Sequence, residues 1–437
     1  MGDKKLALHD QLDLFRSFGQ FHELPSSVTQ NLSDHIKLRP YQKDAFSNFL
    51  HYEATPEFHK DKQTHLLFHM ATGAGKTRRI VERCVNNQQG SKRPIVLAFT
   101  ENGQAELKSR LAAQCPPGQL PHVMGWYAFL IQHVIKPYLP VLFPNQRICG
   151  FDFHAKLARY TKRENSRRFF TSNDQLNKCH IEELASLIIL AMQGKVQERL
   201  ARIYCQLIID EVQDISEYGL DVIRAFLEQE YLQLFMVGDT MQTILNSNTS
   251  LNKNKNVASV ARINWYTTFQ ANHPHLLTIE EMSLTYRSNT EIVSFSNTIM
   301  DPGFGFAPTY SAMTQVTGHD GVFLVKEEDI DTYEREYHPT YIRWDTKSAD
   351  SLKHLPFMTF GKAKGLEWDR VAIYMTGTML ELLGAEDTYL KPQTACKFYV
   401  GVTRARYSVA LIVPKGKKLV PHDRFRIEPW EPSYVNP

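Results

Sequence analysis

At 437 residues the chain is long enough for roughly two to four domains, and 43% hydrophobic with 22% charged residues is the balance of a globular protein, which excludes a disordered or fibrous one. The net charge of +3 is too small to indicate a partner, and the six cysteines (84, 115, 149, 179, 205 and 396) form no C-x-x-C pair, so no zinc or iron–sulfur module is expected and a reducing compartment is. The longest apolar run, Leu184 to Met192, is about half a membrane span, and Met1-Gly-Asp-Lys-Lys-Leu6 carries neither a signal core nor a myristoylation pattern; a cytoplasmic protein without membrane partners is the expectation.

Residues 1–36 place Leu12, Leu14, Phe15 and Phe18 at helical spacing before Pro25-Ser-Ser27. They read as a helix packed on the main body, or alternatively as a docking segment. The next short helix, Lys37–Phe46, carries Gln42. Its amide pairs an acceptor with donors and so matches the N6 and N7 edge of adenine.

Leu66-Leu-Phe-His-Met-Ala-Thr-Gly-Ala-Gly-Lys-Thr77 reads as a buried strand, a tight glycine loop and a helix start. Such a loop turns its N–H groups toward polyphosphate, with the Lys on the β- and γ-phosphates and the Thr hydroxyl on Mg²⁺. The match to G-x-x-x-x-G-K-[ST] is incomplete, because Met70 occupies the first Gly position. The nucleotide-contacting set expected here is Thr72, Gly73, Ala74, Gly75, Lys76, Thr77 and Arg78.

Pro94–Phe99 reads as a second buried strand and Thr100–Leu111 as a helix, an alternation that suggests a parallel sheet covered on both faces. Pro116-Pro-Gly118 ends that unit, and an aromatic helix, Gly125–Ile131 with Trp126, is expected to break at Pro137. Residues 145–203 show no α/β pattern and read as a helical insertion. Within it, Lys156–Arg168 holds six basic residues, among them Arg163, Arg167 and Arg168, against Glu164 alone, with Phe169 and Phe170 following. A phosphate-contacting, base-stacking stretch is one reading and a solvated helix face the other.

Gln206-Leu-Ile-Ile-Asp-Glu-Val-Gln-Asp214 ends a buried strand in two carboxylates. Downstream of a phosphate loop, Asp210 suits Mg²⁺ and Glu211 suits acceptance of a proton from an attacking water. Leu234–Gln242 is a further strand with a polar end, and Gln242 is placed to sense the γ-phosphate. Residues 246–256 read as a loop. A second α/β layer is expected from strands near 321–325, 371–375 and 409–413, with Arg404 and Arg406 on a helix between the last two.

Taken together, these blocks resemble the UvrD/Rep-like superfamily 1A helicases in kind, order and spacing, over residues 37–112, 204–295 and 355–413. The resemblance implies two RecA-like P-loop NTPase lobes, each a parallel sheet covered by helices, that enclose ATP and Mg²⁺. It implies residues 1–36 as an N-terminal helical segment and 37–280 as the first lobe, with a small, mainly helical insertion at about 113–203. The second lobe, 281–437, lacks a large insertion, since only 71 positions separate Ser288 from Thr359. On this resemblance Tyr286 stacks on adenine, Arg287 reaches the γ-phosphate, Glu367 contacts ribose and Arg404 is the arginine finger. Phe99, Thr100, Trp126, Thr359 and Lys364 join the basic stretch as nucleic-acid contacts. The implied activity is ATP-driven 3′→5′ translocation on single-stranded DNA, or on strand junctions. The alternative is an ATP-dependent switch or scaffold subunit working with a protein partner in a repair or anti-phage defence complex. The run after Gln242 lacks the aromatic residues usual in the family, which puts that DNA platform in question.

Overall fold

The computed structural model describes residues 64–86, 92–156, 158, 160–215, 217–244 and 261–432. The expected N-terminal helices, Gln42 and the Asn-rich loop at 246–256 lie outside the described residues.

The first lobe is a six-stranded sheet in the order β3-β2-β6-β7-β1-β8. Its elements in chain order are β1 (His65–Met70), α1 (Lys76–Asn86), β2 (Arg93–Ala98), α2 (Glu101–Gln114) and β3 (His122–Gly125). Every strand pair is parallel. Parallel strands require crossover segments, which cover both faces and force each strand to be apolar on both sides. The side chains divide accordingly. Leu67, Ile95, Leu97, Leu207 and Ile209 enter one core, while Phe68, Val96, Ile208 and Val237 enter the other with Ile80 and Val81 of α1.

β3 pairs with β2, so the insertion starts after Gly125 and not near residue 113. Its first helix, α3, runs as Trp126–Phe129, a π turn at Leu130–Ile135, and Lys136–Leu142. The expected break at Pro137 does not occur; the wider π turn ahead of it relieves the clash a proline ring makes with the preceding turn. Two short parallel strands follow, β4 (Gly150–Asp152) and β5 (Gln175–Asn177), then α4 (Ile181–Met192) and α5 (Lys195–Ile203). Val134, Leu139, Leu184, Ile188 and Leu200 share one core with the sheet, so the insertion is continuous with the lobe.

The lobe is completed by β6 (Tyr204–Ile209), α6 (Tyr218–Leu227), β7 (Leu234–Gly238), α7 (Arg262–Asn272) and β8 (Leu277–Met282). β8 pairs with β1 along its whole length, which carries the first sheet two residues past the expected boundary at 280. β9 (Leu284–Thr285) then leads into α8 (Thr290–Asn297), and β10 (Tyr310–Ser311) pairs with β9.

The second sheet has the order β13-β12-β14-β15-β11-β16 and is also parallel throughout. Its elements are β11 (Gly321–Lys326), α9 (Ile330–Tyr337), β12 (Thr340–Arg343), β13 (Met358–Thr359), α10 (Phe360–Ala363) and β14 (Trp368–Tyr374). They continue as α11 (Gly377–Gly384), α12 (Pro392–Val402), β15 (Ala405–Val413) and β16 (Glu428–Pro429). The three expected strands are present. The expected helical placement of Arg404 and Arg406 is corrected: α12 stops at Val402, Thr403 caps it, and Arg406 lies in β15. Met241 and Ile244 of the first lobe pack into the second lobe's core, so the lobes share apolar contact beside the site.

Candidate active site between the two lobes

β1, β6 and β7 end side by side, and the loops leaving their carboxyl ends carry the phosphate loop, Asp210-Glu211 and Asp239–Gln242. The second lobe offers the opposite edge of its sheet: Glu367 precedes β14 and Arg404 precedes β15. Ligands of open parallel sheets bind outside the carboxyl ends of strands, and here that crevice is closed by a second body.

Gly73 and Gly75 have φ of +77° and +88°, the left-handed conformations that let successive N–H groups face one way. At Gly73 the need for glycine is also steric. A Cβ would lie 2.4 Å from Thr285 Oγ1 and 2.5 Å from Arg287 Cβ, so the second lobe's entry segment rests on the loop itself. The Tyr286 N–H donates to Gly73 O at 3.1 Å. Lys76 opens α1, and its buried Nζ has no hydrogen-bond partner, with Glu211 Oε2 at 3.7 Å. A buried ammonium with unsatisfied protons is costly, and a phosphate oxygen would satisfy it. Arg78, by contrast, is exposed and pairs with Glu82 one turn on; Thr77 is half-buried beside it.

Burial, reinforced by adjacent Glu211, pushes the Asp210 carboxyl well above its usual range. For Glu211 burial acts upward as well, but Lys76 and Lys364 outweigh it and hold the group ionised. The two acids are therefore driven apart, with Asp210 short of a cation and Glu211 held as the carboxylate. Glu211 has φ of +51°, a strained conformation for a non-glycine residue, and its carboxylate accepts a hydrogen bond from Gln213 Nε2. Asp210 and Thr77 are hard oxygen donors of the kind Mg²⁺ takes, an ion that uses few protein ligands and leaves the rest to water and phosphate. Among the described residues no group of three or more His, Cys, Asp or Glu could hold a metal.

Gln242 connects the lobes. Its Nε2 donates to Asp239 Oδ2 at 2.8 Å and to Thr72 Oγ1, while its Oε1 accepts from Arg404 Nη2 at 3.1 Å. Thr72 Oγ1 itself donates to Asp239 Oδ2 at 3.0 Å. Arg404 is 1% exposed, and its other donors reach Val400 O at 3.0 Å and Leu366 O at 3.1 Å. Burial, with Arg287 nearby, lowers its pKa to about 9. A guanidinium held among neutral acceptors in this way is short of negative charge.

Arg287 is pinned through its chain neighbours: Ser288 Oγ donates to Ala405 O and Asn289 Nδ2 to Tyr407 O, each at 2.6 Å. Its side chain pairs with Glu367, Nε to Oε2 at 2.8 Å, and Glu367 Oε1 also accepts from Arg406 Nη2. Tyr286 is 66% exposed and available for stacking.

Residues 58–248 match the family model described as AAA domain, a span that contains the phosphate loop, both acids and Gln242. The match falls on the first lobe; the second parallel lobe, which lies outside it, places Arg287 and Arg404 against that span. No curated protein matches the chain. Two distant solved structures are similar. One is an arterivirus helicase, nonstructural protein 10, in complex with DNA, at 14% identity and TM-score 0.40, covering 81% of this chain. This chain spans only 61% of that protein's chain. The other is Pif1 helicase from Bacteroides with ADP-AlF3 and ssDNA, at 12% identity and TM-score 0.34, covering 88% of this chain and 95% of that one.

Several residues expected to meet nucleic acid are instead committed internally. Trp126 is 1% exposed and donates through Nε1 to Glu182 Oε1 at 2.8 Å, so the expected nucleic-acid contact is corrected to core packing. Among its described residues the Lys156–Arg168 stretch is not a continuous helix, and its basic side chains are not all turned to solvent. Arg163 and Arg168 grip buried Glu183 at 2.8 and 2.9 Å, and Phe169 and Phe170 are core residues. The large basic count misled because an arginine can serve an acid twenty positions away. Arg167 remains exposed. Lys364 is buried against Asp214 at 2.7 Å, an ion pair across the lobes in place of a phosphate contact. Thr100 caps α2 by accepting from Gly103 N, and Phe99 stacks on Trp126, ring centroids 6.2 Å apart. Thr359 lies half-buried at the end of β13. Glu182 was not singled out from sequence, since an isolated acid carries no sign of its distant partner.

Proposed function

We propose that the chain is an ATP-dependent translocase on single-stranded DNA, of the UvrD-like type and 3′→5′ polarity, with ATP hydrolysed between its lobes. The observation that carries this is the buried Lys76 Nζ at the glycine loop, which has no hydrogen-bond partner and only the Glu211 carboxylate at 3.7 Å, while Arg287 and Arg404 of the other lobe reach the loop and Gln242. Lys76 would hold the β- and γ-phosphates, and the loop N–H groups would orient them. Thr77 and Asp210 would hold Mg²⁺, which supplies charge neutralisation on the phosphates. Glu211 would take a proton from the attacking water. Arg404 and Arg287 would stabilise charge on the transferring phosphoryl group, and Gln242 would report its presence to the interface it bridges. Gln42 and Tyr286 are the adenine contacts in this reading, and Phe99, Thr100, Arg167 and Thr359 the remaining candidates for the strand.

A second reading, an ATP-dependent switch or scaffold subunit in a repair or phage-defence complex, is favoured by the burial of Trp126, Arg168 and Lys364, which removes much of the expected nucleic-acid surface. ATP turnover measured side by side with no nucleic acid, single-stranded DNA, duplex DNA and RNA separates the two. The translocase gives strong stimulation by single-stranded DNA; indifference to all three rejects it in favour of the switch.

A further inference from the structure

We propose that Glu367 is a competing anion for Arg287: it holds this arginine when no γ-phosphate is present and recaptures it after hydrolysis, which favours release of the cleaved phosphate. The inference rests on the nucleotide reading above, and it replaces the ribose contact expected for Glu367.

Three observations carry it. The backbone on either side of Arg287 is fixed, by Tyr286 N–H on Gly73 O at 3.1 Å and by Ser288 and Asn289 on β15, so only the side chain is free to exchange partners. That side chain starts beside the phosphate loop, where its Cβ would be 2.5 Å from a Cβ at Gly73, yet its Nε donates to Glu367 Oε2 at 2.8 Å and its Nη1 to Thr403 O at 3.3 Å. Glu367 is ionised: burial acts upward, but Arg406 and Arg287 outweigh it and depress its pKa.

A guanidinium offers its donors in one plane, so a carboxylate and a phosphate compete for the same edge. The γ-phosphate carries the greater charge and wins while it is bound. Once it is cleaved and free to leave, Glu367 needs only a side-chain rotation to take the arginine back. Arg406 keeps Glu367 in place during the exchange. ADP has no phosphate in this position and does not enter the competition.

The test is equilibrium binding of a non-hydrolysable ATP analogue and of ADP, each with Mg²⁺, to wild type, Glu367→Gln, Arg287→Ala and the double variant. Glu367→Gln keeps the shape and removes the charge. It should tighten the ATP analogue about fivefold, the scale of a partly exposed ion pair, and leave ADP unchanged. In the Arg287→Ala background the same change should have no effect. Equal weakening of both nucleotides by Glu367→Gln would restore the ribose role and overturn the proposal, as would an unchanged ATP affinity. Wild type that binds neither nucleotide would instead remove the nucleotide reading itself. Glu367→Ala, measured in parallel, should act in the same direction as the Gln variant; a weaker ATP analogue in both would count against the competition.

Discussion

Arg404 is a buried cation whose contacts are carbonyls, the Gln242 amide and the Thr403 hydroxyl, and burial together with Arg287 makes its charge expensive. An incoming phosphoryl group relieves that cost most when it carries the most charge. Arg404→Ala should therefore lower turnover by about 10³-fold or more while nucleotide affinity changes little, as measured by single-turnover hydrolysis beside equilibrium binding. Glu182 makes a different prediction. Burial raises its pKa to about 7, with Trp126 acting against the shift. A carboxyl raised in the folded state contributes fully below its unfolded value near 4.5, and that contribution is lost as pH rises from there through 7. Glu182→Gln keeps an acceptor for Trp126 and removes the titration. Its stability relative to wild type, from denaturant unfolding, should climb between pH 4.5 and 7 and then level off.

At the scale of elements, α4 and the loop before it are fastened by Glu183, which binds Arg163, Arg168 and His180. Arg168→Met leaves this acid short of a buried partner and should cost about 3–5 kcal/mol in denaturant unfolding. Its effect on affinity for single-stranded DNA should be small, since Arg168 faces the interior. A large loss of affinity with unchanged stability would return the stretch to the nucleic-acid surface. This is also where legibility ended. The strands and their polar ends were readable because parallel strands must be apolar on both faces, and because loop, acids and glutamine each follow a strand locally. The partners of Trp126, Arg163 and Arg168 depend on contacts 15 to 56 positions away, which local pattern does not encode. β3 was hidden for a related reason: at four residues it is too short to show a period. α3 concealed its course because a π turn carried it through a proline.

For the whole molecule, the cleft is closed by a small set of polar links beside shared apolar contact. Lys364 and Asp214 are only 6% and 2% exposed in their side chains, and Asp214, pushed up to about 6 by burial against the pull of Lys364, depends on its partner. Lys364→Met should destabilise the protein by about 3–5 kcal/mol, and adding Asp214→Asn should recover much of that loss, because the Asp214 carboxylate is then no longer buried without its ammonium partner. Additive losses would mean that the pair is not the connection between the lobes. Gln242 is the other link, touching Thr72 beside the glycine loop on one side and Arg404 on the other, so under the proposed function one side chain would read both the phosphates and the position of the second lobe. The central claim is that this cleft hydrolyses ATP and that a single strand drives the cycle. The most direct measurement is steady-state ATP hydrolysis by wild type and Lys76→Ala, with and without single-stranded DNA. The account predicts a wild-type rate raised strongly by the strand and hydrolysis abolished in the variant under both conditions; equal rates in the two proteins would contradict it.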